Sequence, residues 1–434
     1  MASFDAPRIL LSRLEFADSH TLARYLDTGG YAALRKALTM FPEAVAAEVD
    51  AASLLGRGGA GFPAGRKWSM LRKSPLSYLV VNGDESEPAT FKDHLLVERD
   101  PHQLVEGVII AAYALQVNQA FIYLRGEFAL GLERVQQAVN DAYELGALGN
   151  QIFGSSFSID IVVHPGAGAY ICGEETALIE ALEGKRGFPR IKPPFFPAAA
   201  GLYGEPTIVN NVETMSNLPW IINNGGEAFA ALGGGRSTGT RLFALAGRVK
   251  NPGVYEVEMV KNTFRDLIYD PRLGGGITDD KQIKCFIPGG VSAPWFGPEL
   301  LDLPLGQDEV AEKGSMLGSG SVVVLDETTC VVRATWRITK FFARESCGQC
   351  TPCREGSGWL GRMLYRLEHG GGRIEDLDLL LDVCDNIAPG LTWPPQMTTI
   401  CVLGPSIPSS IHSAITMFRD EFVAHVQHGG CPHD

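Results

Sequence analysis

Three cysteines stand at equal spacing in the last quarter of the chain, Cys347, Cys350 and Cys353 in the segment ESCGQCTPC. This Cys-x2-Cys-x2-Cys spacing places three thiolates in one short loop, where they can ligate three corners of a cubane iron–sulfur cluster. The fourth ligand must then come from a distant part of the chain, because the last iron faces away from the loop. A structural zinc site is the alternative, but zinc more often uses two separated pairs of cysteines. The spacing therefore favours a 4Fe–4S cluster.

Two later cysteines compete for the fourth position. Cys401 lies in the segment TTICVLGPSIP, which we predict to be a loop before the last helix, where a ligand can fold back. Cys384 lies inside a helical pattern and is expected to be a small buried residue. Cys401 is thus the favoured ligand. The remaining cysteines are isolated in the sequence and are interpreted as packing or bystander thiols: Cys172, Cys285, Cys330 and Cys431.

A glycine-rich segment, GRGGAG at 56–61, satisfies the pattern G-x-G-x-x-G. In a Rossmann fold this pattern follows a strand, whereas here it follows a predicted helix, so a Rossmann turn is not indicated. Its glycines still allow backbone N–H groups to approach a phosphate or a flat ring. An ordinary surface loop is the competing interpretation for this segment taken alone.

Four further segments gather small residues, carboxylates, amides and aromatic rings in the same region: 81–88, 166–176, 192–197 and 210–214. The first, VNGDESEP, ends a predicted strand, and the carboxyl ends of strands are where α/β sheets bind ligands. Carboxylates and amides there suit the hydroxyls of a ribityl chain or a ribose. Each segment alone could be a solvated turn or a helix cap. Together with a cluster site behind them, they predict a flavin and a dinucleotide.

The predicted elements that carry these segments change character along the chain. Strand-like runs SYLVVNGD, AFIYLRGE and SIDIVVHPG alternate with helical runs, which predicts a layered α/β domain over residues 1–240, with two helices at 19–55. A small α+β module with three short strands and one helix is expected at 241–328. Residues 329–434 are predicted to form a four-helix bundle, with Trp359, Leu360, Met363, Leu364 and Leu367 on one face of its second helix.

Composition limits the partners. The chain has 434 residues, 45% hydrophobic and 20% charged, which is typical of a globular protein of two or three domains. Its net charge of −13 argues against nucleic acid or an anionic membrane as a partner. No apolar run reaches the length of a transmembrane helix, and the N-terminal residues lack signal-peptide features. Nine cysteines are too few for a disulfide scaffold.

The motifs together resemble the family of NADH-binding flavoprotein subunits of respiratory complex I. They occur in the family's order over about residues 20 to 430: GRGGAGFPAGRKW, NGDESEPATFKD, GAGAYICGEETAL, GLYGEPTIVNNVET, GSMLG and ESCGQCTPCREG. The diaphorase subunits of NAD-linked hydrogenases and formate dehydrogenases share them. Those relatives commonly carry fused iron–sulfur domains for which this chain has no room, so we expect a complex I subunit, with the diaphorase as the alternative.

The resemblance implies an FMN domain, a ubiquitin-like (SLBB) module and a cluster-binding helical bundle. It implies FMN contacts from Gly56, Gly58, Gly59, Gly61, Lys67, Asn82, Asp84, Glu85, Ser86, Tyr170, Gly173, Glu174, Asn210, Asn211 and Thr214. It implies NADH contacts from Phe62, Glu87, Glu175, Lys192 and Phe195. The implied cluster ligands are Cys347, Cys350, Cys353 and Cys401.

The resemblance further implies hydride transfer from NADH to FMN, which needs stacked rings rather than an acid or a base, so no catalytic side chain is expected. Electrons would leave one at a time through the cluster toward quinone. The implied partners are a thioredoxin-like 2Fe–2S subunit and the large iron–sulfur subunit, in the peripheral arm on the cytoplasmic side of the membrane.

Several residues depart from the family pattern. Met70 stands where a phenylalanine is usual, and Gly83 where an alanine is usual. PPFFP has an extra phenylalanine, so Phe195 and Phe196 compete for the stacking position. The segment IAPGLTWPPQMTTIC is longer than usual, and Pro405 replaces a common aspartate, which loosens the assignment of the fourth ligand. An iron–sulfur scaffold without nucleotide binding therefore stays open as a non-enzyme alternative.

Overall fold

The computed structural model describes residues 7–391 and 395–432. Residues 392–394, part of the long segment before Cys401, lie outside the described residues, as do residues 1–6 at the start of the predicted first domain. A mixed α/β architecture with a parallel sheet is present, as the strand–helix alternation predicts. Two four-stranded sheets and a C-terminal group of helices follow one another along the described chain.

The first sheet positions most of the candidate residues. Its strands pair in the order β3-β2-β1-β4 and all three pairings are parallel. Its strands are β1 Tyr78–Gly83, β2 Gln119–Leu124, β3 Asp160–Pro165 and β4 Thr207–Asn211. The first three were predicted from their β-branched runs, whereas β4 was not predicted. Parallel strands end at one edge, so the polar residues after β1 and at the end of β4 come together.

Short helices surround this sheet. They are α1 Leu22–Asp27, α2 Ala32–Ala37, α3 Pro42–Ala51, α4 Ala64–Ser69, α5 Lys92–Arg99, α6 Pro101–Leu115, α7 Ala129–Glu144, α8 Glu175–Leu182, α9 Pro197–Ala200, α10 Val212–Ser216, α11 Leu218–Asn224 and α12 Gly226–Ala230. Helix α6 is buried from Pro101 to Ala112 and forms the centre of the core. The prediction of two helices at 19–55 was wrong, since α1, α2 and α3 lie there. The extended Phe41 and the proline that follows it separate α2 from α3.

A small hairpin, β5 Gly233–Gly234 and β6 Ser237–Thr238, leads into the second sheet. This sheet has the order β8-β7-β10-β9, with β7 and β10 parallel and the outer pairs antiparallel. Its strands and helices are β7 Thr240–Gly247, β8 Gly253–Glu258, α13 Phe264–Tyr269, β9 Ile283–Ile287, α14 Gln307–Glu312 and β10 Ser321–Asp326. Strand β10 and helix α14 were not predicted, and β10 supplies the central pairing that joins β7 to β9.

The C-terminal region is helical. It contains α15 Val331–Glu345, α16 Thr351–Glu368, α17 Glu375–Ile387 and α18 Leu403–His428. Helix α15 contacts α16 and α18, and α17 contacts the same two helices. Helix α18 begins ten residues before the predicted Ser413, because Pro405 falls in its first turn, where a missing N–H costs no hydrogen bond.

The predicted apolar face of α16 is correct for four of its five residues. Leu360, Met363, Leu364 and Leu367 are buried, but Trp359 is half-exposed and does not belong to that face. Contacts also tie the three regions together. The Ser292 backbone N–H donates to Glu87, and the Trp295 N–H donates to the Ser413 hydroxyl.

Candidate functional site

The carboxyl ends of β1 and β4 form one polar edge. Asn82 in β1 lies in register with Asn211 in β4, so their side chains start from neighbouring positions. The Asn211 amide donates to Asp93 Oδ2 at 2.5 Å, and its oxygen accepts the Glu213 N–H at 3.0 Å, capping α10. The Asn82 amide donates to the Gly173 carbonyl at 2.8 Å. The predicted segments 81–88, 166–176 and 210–214 therefore meet at this edge.

Unpaired buried polar atoms mark the same edge. Both carboxylate oxygens of Asp84, the Ser86 hydroxyl and the Asn210 amide nitrogen are buried without a hydrogen-bond partner among the described residues. Burial raises the pKa of Asp84 to about 7, although the Arg125 guanidinium partly opposes it. Buried polar atoms are normally satisfied, so a group of three side chains left open suits a ligand rich in hydroxyls or carbonyls.

The glycine-rich segment lies beside this edge. The Gly56 N–H donates to the Phe62 carbonyl at 2.9 Å and closes the loop, while the Arg57 N–H donates to the Thr214 hydroxyl at 2.9 Å. A Cβ added at Gly58 would lie 3.1 Å from the Asn211 Cβ, so a side chain there would crowd the edge. The absence of side chains is what lets the loop backbone approach it.

Sequence reasoning did not single out the charged groups beneath this loop. The Lys92 ammonium lies 2.8 Å from both Asp93 and Glu213, and all three side chains are buried. The guanidinium of Arg57 is buried too and donates to the Thr238 and Thr240 carbonyls. These residues stand inside the motifs that were recognised, so charged residues within apolar strings were the signal available. They hold the polar edge in place from below.

Two of the predicted carboxylates bind protein groups. Glu85 caps α5, accepting the Lys92 and Asp93 N–H groups at 2.9 and 2.8 Å on one oxygen and the His94 N–H at 2.8 Å on the other. Glu87 accepts the Tyr170 hydroxyl at 2.7 Å and the Ser292 N–H at 2.8 Å. Burial raises the pKa of Glu87, and both donors act against that rise.

The adjacent glutamates of α8 have different partners. Glu174 is the N-cap and accepts the Thr176 and Ala177 N–H groups at 2.9 Å. Glu175 lies between two ammonium groups, 2.9 Å from Lys67 and 3.1 Å from Lys192. Burial raises the pKa of Glu175, but the two lysines outweigh burial and leave that pKa below its usual range. A charged carboxylate flanked by two cations is thus held at the start of α8.

Apolar side chains border this charged group on the chain. Phe62 precedes α4, which carries Lys67, and Met70 follows the same helix. Phe62 is 40% exposed and Met70 is 50% exposed. Phe195 and Phe196, just after Lys192, are exposed to nearly the same extent, 50% and 51%, so exposure does not choose between them for stacking. All four side chains keep apolar surface available to a planar group.

The predicted departure at Gly83 has a local reason. A Cβ at this position would lie 2.5 Å from Leu124 Cδ2 and 2.9 Å from the Tyr123 carbonyl oxygen on the neighbouring strand. An alanine would require that strand to shift. Glycine at this position is therefore matched to the packing of β1 against β2.

Tyr170 joins the polar edge to the cysteine loop. Its hydroxyl binds Glu87, while its backbone N–H donates to Glu345 at 3.1 Å, two residues before Cys347. Its ring packs edge-on against Phe341 and Phe342 of α15, with centroids 5.3 and 5.9 Å away. One residue thus contacts both parts of the candidate site.

Four cysteines converge behind Tyr170. Cys347, Cys350 and Cys353 lie between the end of α15 and the first turn of α16, and Cys401 lies just before α18. Burial raises the pKa of Cys353 to about 11 and of Cys401 to about 12, and neighbouring thiols of the same group, Cys347 among them, raise both further. Their proximity is therefore mutual. Cys384 lies within α17 and is fully buried, as predicted.

The interpretation of all remaining cysteines as isolated was wrong for two of them. Cys330 and Cys431 lie 101 positions apart in the chain, yet their sulfur atoms approach within 4.8 Å of each other, together with Glu368 and His425. No spacing pattern links these four residues, so the sequence offered no signal. They lie at the opposite end of α15 from the cysteine loop.

The donor sets fit the two implied groups. The open atoms of Asp84, Ser86 and Asn210, beside a loop of glycines, suit a phosphorylated flavin with a hydroxylated chain. The four convergent thiols suit a cubane cluster, for which the Cys-x2-Cys-x2-Cys loop supplies three ligands and Cys401 the distant fourth.

Comparisons with known proteins agree with this geometry. A family model described as the Nuo51 FMN-binding domain matches residues 49–220, and one described as the NADH-ubiquinone oxidoreductase-F iron-sulfur binding region matches residues 333–425. These two regions contain nearly all the residues of the candidate site.

Relatives match along nearly the whole chain. The F subunit of NADH-quinone oxidoreductase from Mycobacterium tuberculosis is 49% identical over 426 residues, 96% of this chain and 93% of its own. The corresponding F subunit numbered 2 in Rhizobium meliloti is 45% identical over 427 residues, 98% of this chain and 99% of its own. A crystal structure of an NAD+-reducing NiFe hydrogenase superposes with a TM-score of 0.82 at 33% identity, over 95% of this chain and 67% of that one.

No helix within residues 7–391 or 395–432 is both long enough and apolar enough to cross a membrane. The matches to these F subunits extend over more than nine tenths of this chain at 42–49% identity, including both the glycine-rich edge and the cysteine loop. The chain therefore belongs to the family of NADH-quinone oxidoreductase F subunits.

Proposed function

We propose that this chain is the NADH dehydrogenase module of a quinone-reducing complex, taking hydride from NADH and passing electrons singly toward quinone. Bound FMN would supply the hydride acceptor and a 4Fe–4S cluster the one-electron acceptor. The protein's own work is to position ligands and set local charge, so no side chain is assigned as catalytic acid or base.

The observation that carries the proposal is the position of Tyr170. It touches Glu87 on the polar edge and Glu345 next to the cysteine loop, so the two candidate centres share one residue. Electron transfer between centres needs such closeness. A chain that merely stored a cluster would not require this contact.

The FMN contacts are proposed at the polar edge and its flanking loops. Asp84, Ser86 and Asn210 offer open polar atoms to the ligand, and the backbone of the glycine-rich loop offers N–H groups to a phosphate. Lys67 adds a cation. The rest of the proposed set lines the same edge or holds it in shape: Gly56, Gly58, Gly59, Gly61, Asn82, Glu85, Tyr170, Gly173, Glu174, Asn211 and Thr214. Both oxygens of Glu85 bind the start of α5, so its part is to shape the segment.

NADH is proposed to bind over α4 and α8. Glu175 would accept the ribose 2′-hydroxyl and disfavour a 2′-phosphate. Lys192 holds Glu175 in place, Glu87 positions the ligand from the polar edge, and Phe62 with Phe195 or Phe196 offers a stacking surface. The cluster ligands are proposed to be Cys347, Cys350, Cys353 and Cys401.

We also propose the finer organisation. Residues 1–240 form the FMN and NADH domain, 241–328 a ubiquitin-like SLBB module built on the second sheet, and 329–434 a four-helix bundle that binds the cluster. A thioredoxin-like 2Fe–2S subunit and a large iron–sulfur subunit are the proposed partners. They would place this chain in a peripheral arm on the cytoplasmic side, touching the membrane only through the assembled complex.

The ultraviolet–visible spectrum of the purified chain tests the function directly. NADH should bleach the flavin absorption, and ferricyanide should be reduced with NADH at a steady rate. A hydrophobic quinone should not be reduced in an inhibitor-sensitive way by the chain alone, because quinone lies in lipid. An unbleached spectrum would support the scaffold alternative, and inhibitor-sensitive quinone reduction would indicate a self-contained quinone reductase.

A diaphorase subunit of a hydrogenase remains the second candidate because of the structural similarity to an NAD+-reducing hydrogenase. The higher identity to the F subunits of NADH-quinone oxidoreductases favours the complex I role. Co-expression with each small iron–sulfur subunit, and then size exclusion, separates the two. Selective co-elution with a hydrogenase subunit would contradict the complex I assignment.

A further inference from the structure

Four potential metal ligands meet at the end of the helical region that lies away from the cysteine loop. Cys330 Sγ, a carboxylate oxygen of Glu368, a ring nitrogen of His425 and Cys431 Sγ all lie within 4.8 Å of one another. Cys330 caps the start of α15, whereas Cys347 follows its end. Fifteen residues of helix span about 22 Å, so this group is separate from the proposed iron–sulfur site.

The distances among these atoms match a single small cation. His425 Nε2 lies 3.3 Å from Cys330 Sγ and 3.5 Å from Glu368 Oε2, and that oxygen lies 3.8 Å from the same sulfur. Tetrahedral zinc has Zn–S near 2.3 Å and Zn–N or Zn–O near 2.1 Å, which puts neighbouring ligand atoms about 3.4–3.8 Å apart. The observed spacing therefore agrees with zinc without a rearrangement of the helices.

The surrounding contacts orient each ligand atom inward. His425 Nδ1 lies 2.7 Å from the Glu421 carbonyl oxygen, which can only accept, so Nδ1 carries the proton and neutral His425 presents the Nε2 lone pair. Arg333 pairs with Glu368 Oε1, which leaves Oε2 facing the sulfur and the imidazole. The Arg333 backbone N–H also donates to Cys330 Sγ at 3.3 Å, as it would to a thiolate at a helix start.

Charge balance points the same way. Two thiolates and one carboxylate carry three negative charges, which a divalent cation and the Arg333 guanidinium together neutralise. Without a cation, these groups would remain close in a largely buried site. A ligand set of two sulfurs, one imidazole and one carboxylate is suited to zinc rather than to magnesium or calcium.

We propose that Cys330, Glu368, His425 and Cys431 bind one structural Zn²⁺ ion. All four positions come from the protein, so the site is closed and has no role in the redox reaction. The ion ties the start of α15 to the ends of α16 and α18 and to the segment after α18. It thereby fixes the helices whose other ends carry the iron–sulfur ligands.

Metal analysis of the purified full chain, with its FMN and cluster, tests this site. After size exclusion, zinc should be present at about one ion per chain in addition to iron. Cys431→Ser and His425→Gln should each weaken zinc retention against a chromophoric chelator by at least about tenfold, while iron content stays unchanged. Cys285→Ser replaces a buried cysteine of β9 outside the group and is the matched control, with zinc as in the unmodified chain.

The zinc X-ray absorption edge identifies the ligands independently of any variant. A shell of two sulfurs near 2.3 Å and two nitrogen or oxygen atoms near 2.0–2.1 Å is expected. If a variant fails to fold, alkylation of the unmodified chain replaces it: Cys330 and Cys431 should react only after the chelator removes zinc. A zinc-free chain, a four-sulfur shell or a disulfide between Cys330 and Cys431 would each overturn the proposal.

Discussion

Replacing Glu175 by glutamine should convert the preference for NADH into a much weaker one. In the structure the Glu175 carboxylate lies between Lys67 at 2.9 Å and Lys192 at 3.1 Å, and its low pKa keeps it charged at neutral pH. If it accepts the ribose 2′-hydroxyl, a 2′-phosphate would sit a few ångströms from this charge. Glutamine keeps the shape, removes the repulsion and frees both ammonium groups to bind the phosphate.

The size of the effect follows from Coulomb's law. Two unit charges about 5 Å apart interact by about 1.5–3 kcal/mol at an effective dielectric constant of roughly 20–40, suitable for a partly exposed site. That difference corresponds to about a ten- to hundredfold rise in the kcat/KM ratio of NADPH to NADH. Salt screens charges at this exposure, so the ratio should fall again at high ionic strength.

The assay is steady-state ferricyanide reduction with each nucleotide at low and high salt. Glu180→Gln is the matched control, because Glu180 lies on the same helix and pairs instead with Arg190 at 2.5 Å. It should leave the nucleotide ratio unchanged. A ratio that stays within about twofold of the unmodified chain in the Glu175 variant would refute the assignment of this carboxylate to the ribose.

Three other outcomes are expected. Cys401→Ala should abolish the 4Fe–4S EPR signal of the reduced protein, whereas Cys384→Ala should retain it, since Cys384 is buried within α17; the reverse pattern would exchange the two assignments. Met70→Phe should lower the KM for NADH a few-fold, or about 0.5–1 kcal/mol, because a flat ring at this half-exposed position stacks better than a thioether; a higher KM would mean that Met70 does not face the nucleotide. Burial lowers the pKa of His102 to about 4, so the unfolded chain binds one more proton between about pH 6.5 and 4, and the free energy of unfolding should decrease as the pH falls through that window by an amount on the order of 3 kcal/mol. Denaturant titrations should show that His102→Gln loses this part of the acid sensitivity, and an identical pH profile in the variant would contradict the inferred pKa.

Local patterns in the sequence were sufficient for much of the molecule. The three cysteines at 347–353 fall close to each other along one loop, so their spacing alone indicates a shared centre. The first three strands of the parallel sheet and the C-terminal helices were predicted because their hydrophobic periodicity is set by neighbours in sequence. The family resemblance extended this local information to named ligands.

Elements whose role depends on pairing were harder to predict. Strand β4 is short and is defined by its parallel register with β1, and β10 by its position between β7 and β9. A Phe-Pro boundary split what periodicity predicts as one continuous helix into α2 and α3. Strand partners and helix breaks of this kind are decided by contacts that a one-dimensional pattern does not contain.

By itself the sequence determined the fold class, the cysteine loop and the set of segments that meet at the nucleotide edge. Only the tertiary structure decided which polar atoms stay open, that Glu175 lies between two lysines, and that Tyr170 links the edge to the cysteine loop. It alone brought Cys330 and Cys431 beside Glu368 and His425. The physical reason is that helix packing converts positions about a hundred residues apart into neighbours, while sequence patterns report only on residues within a few turns of one another.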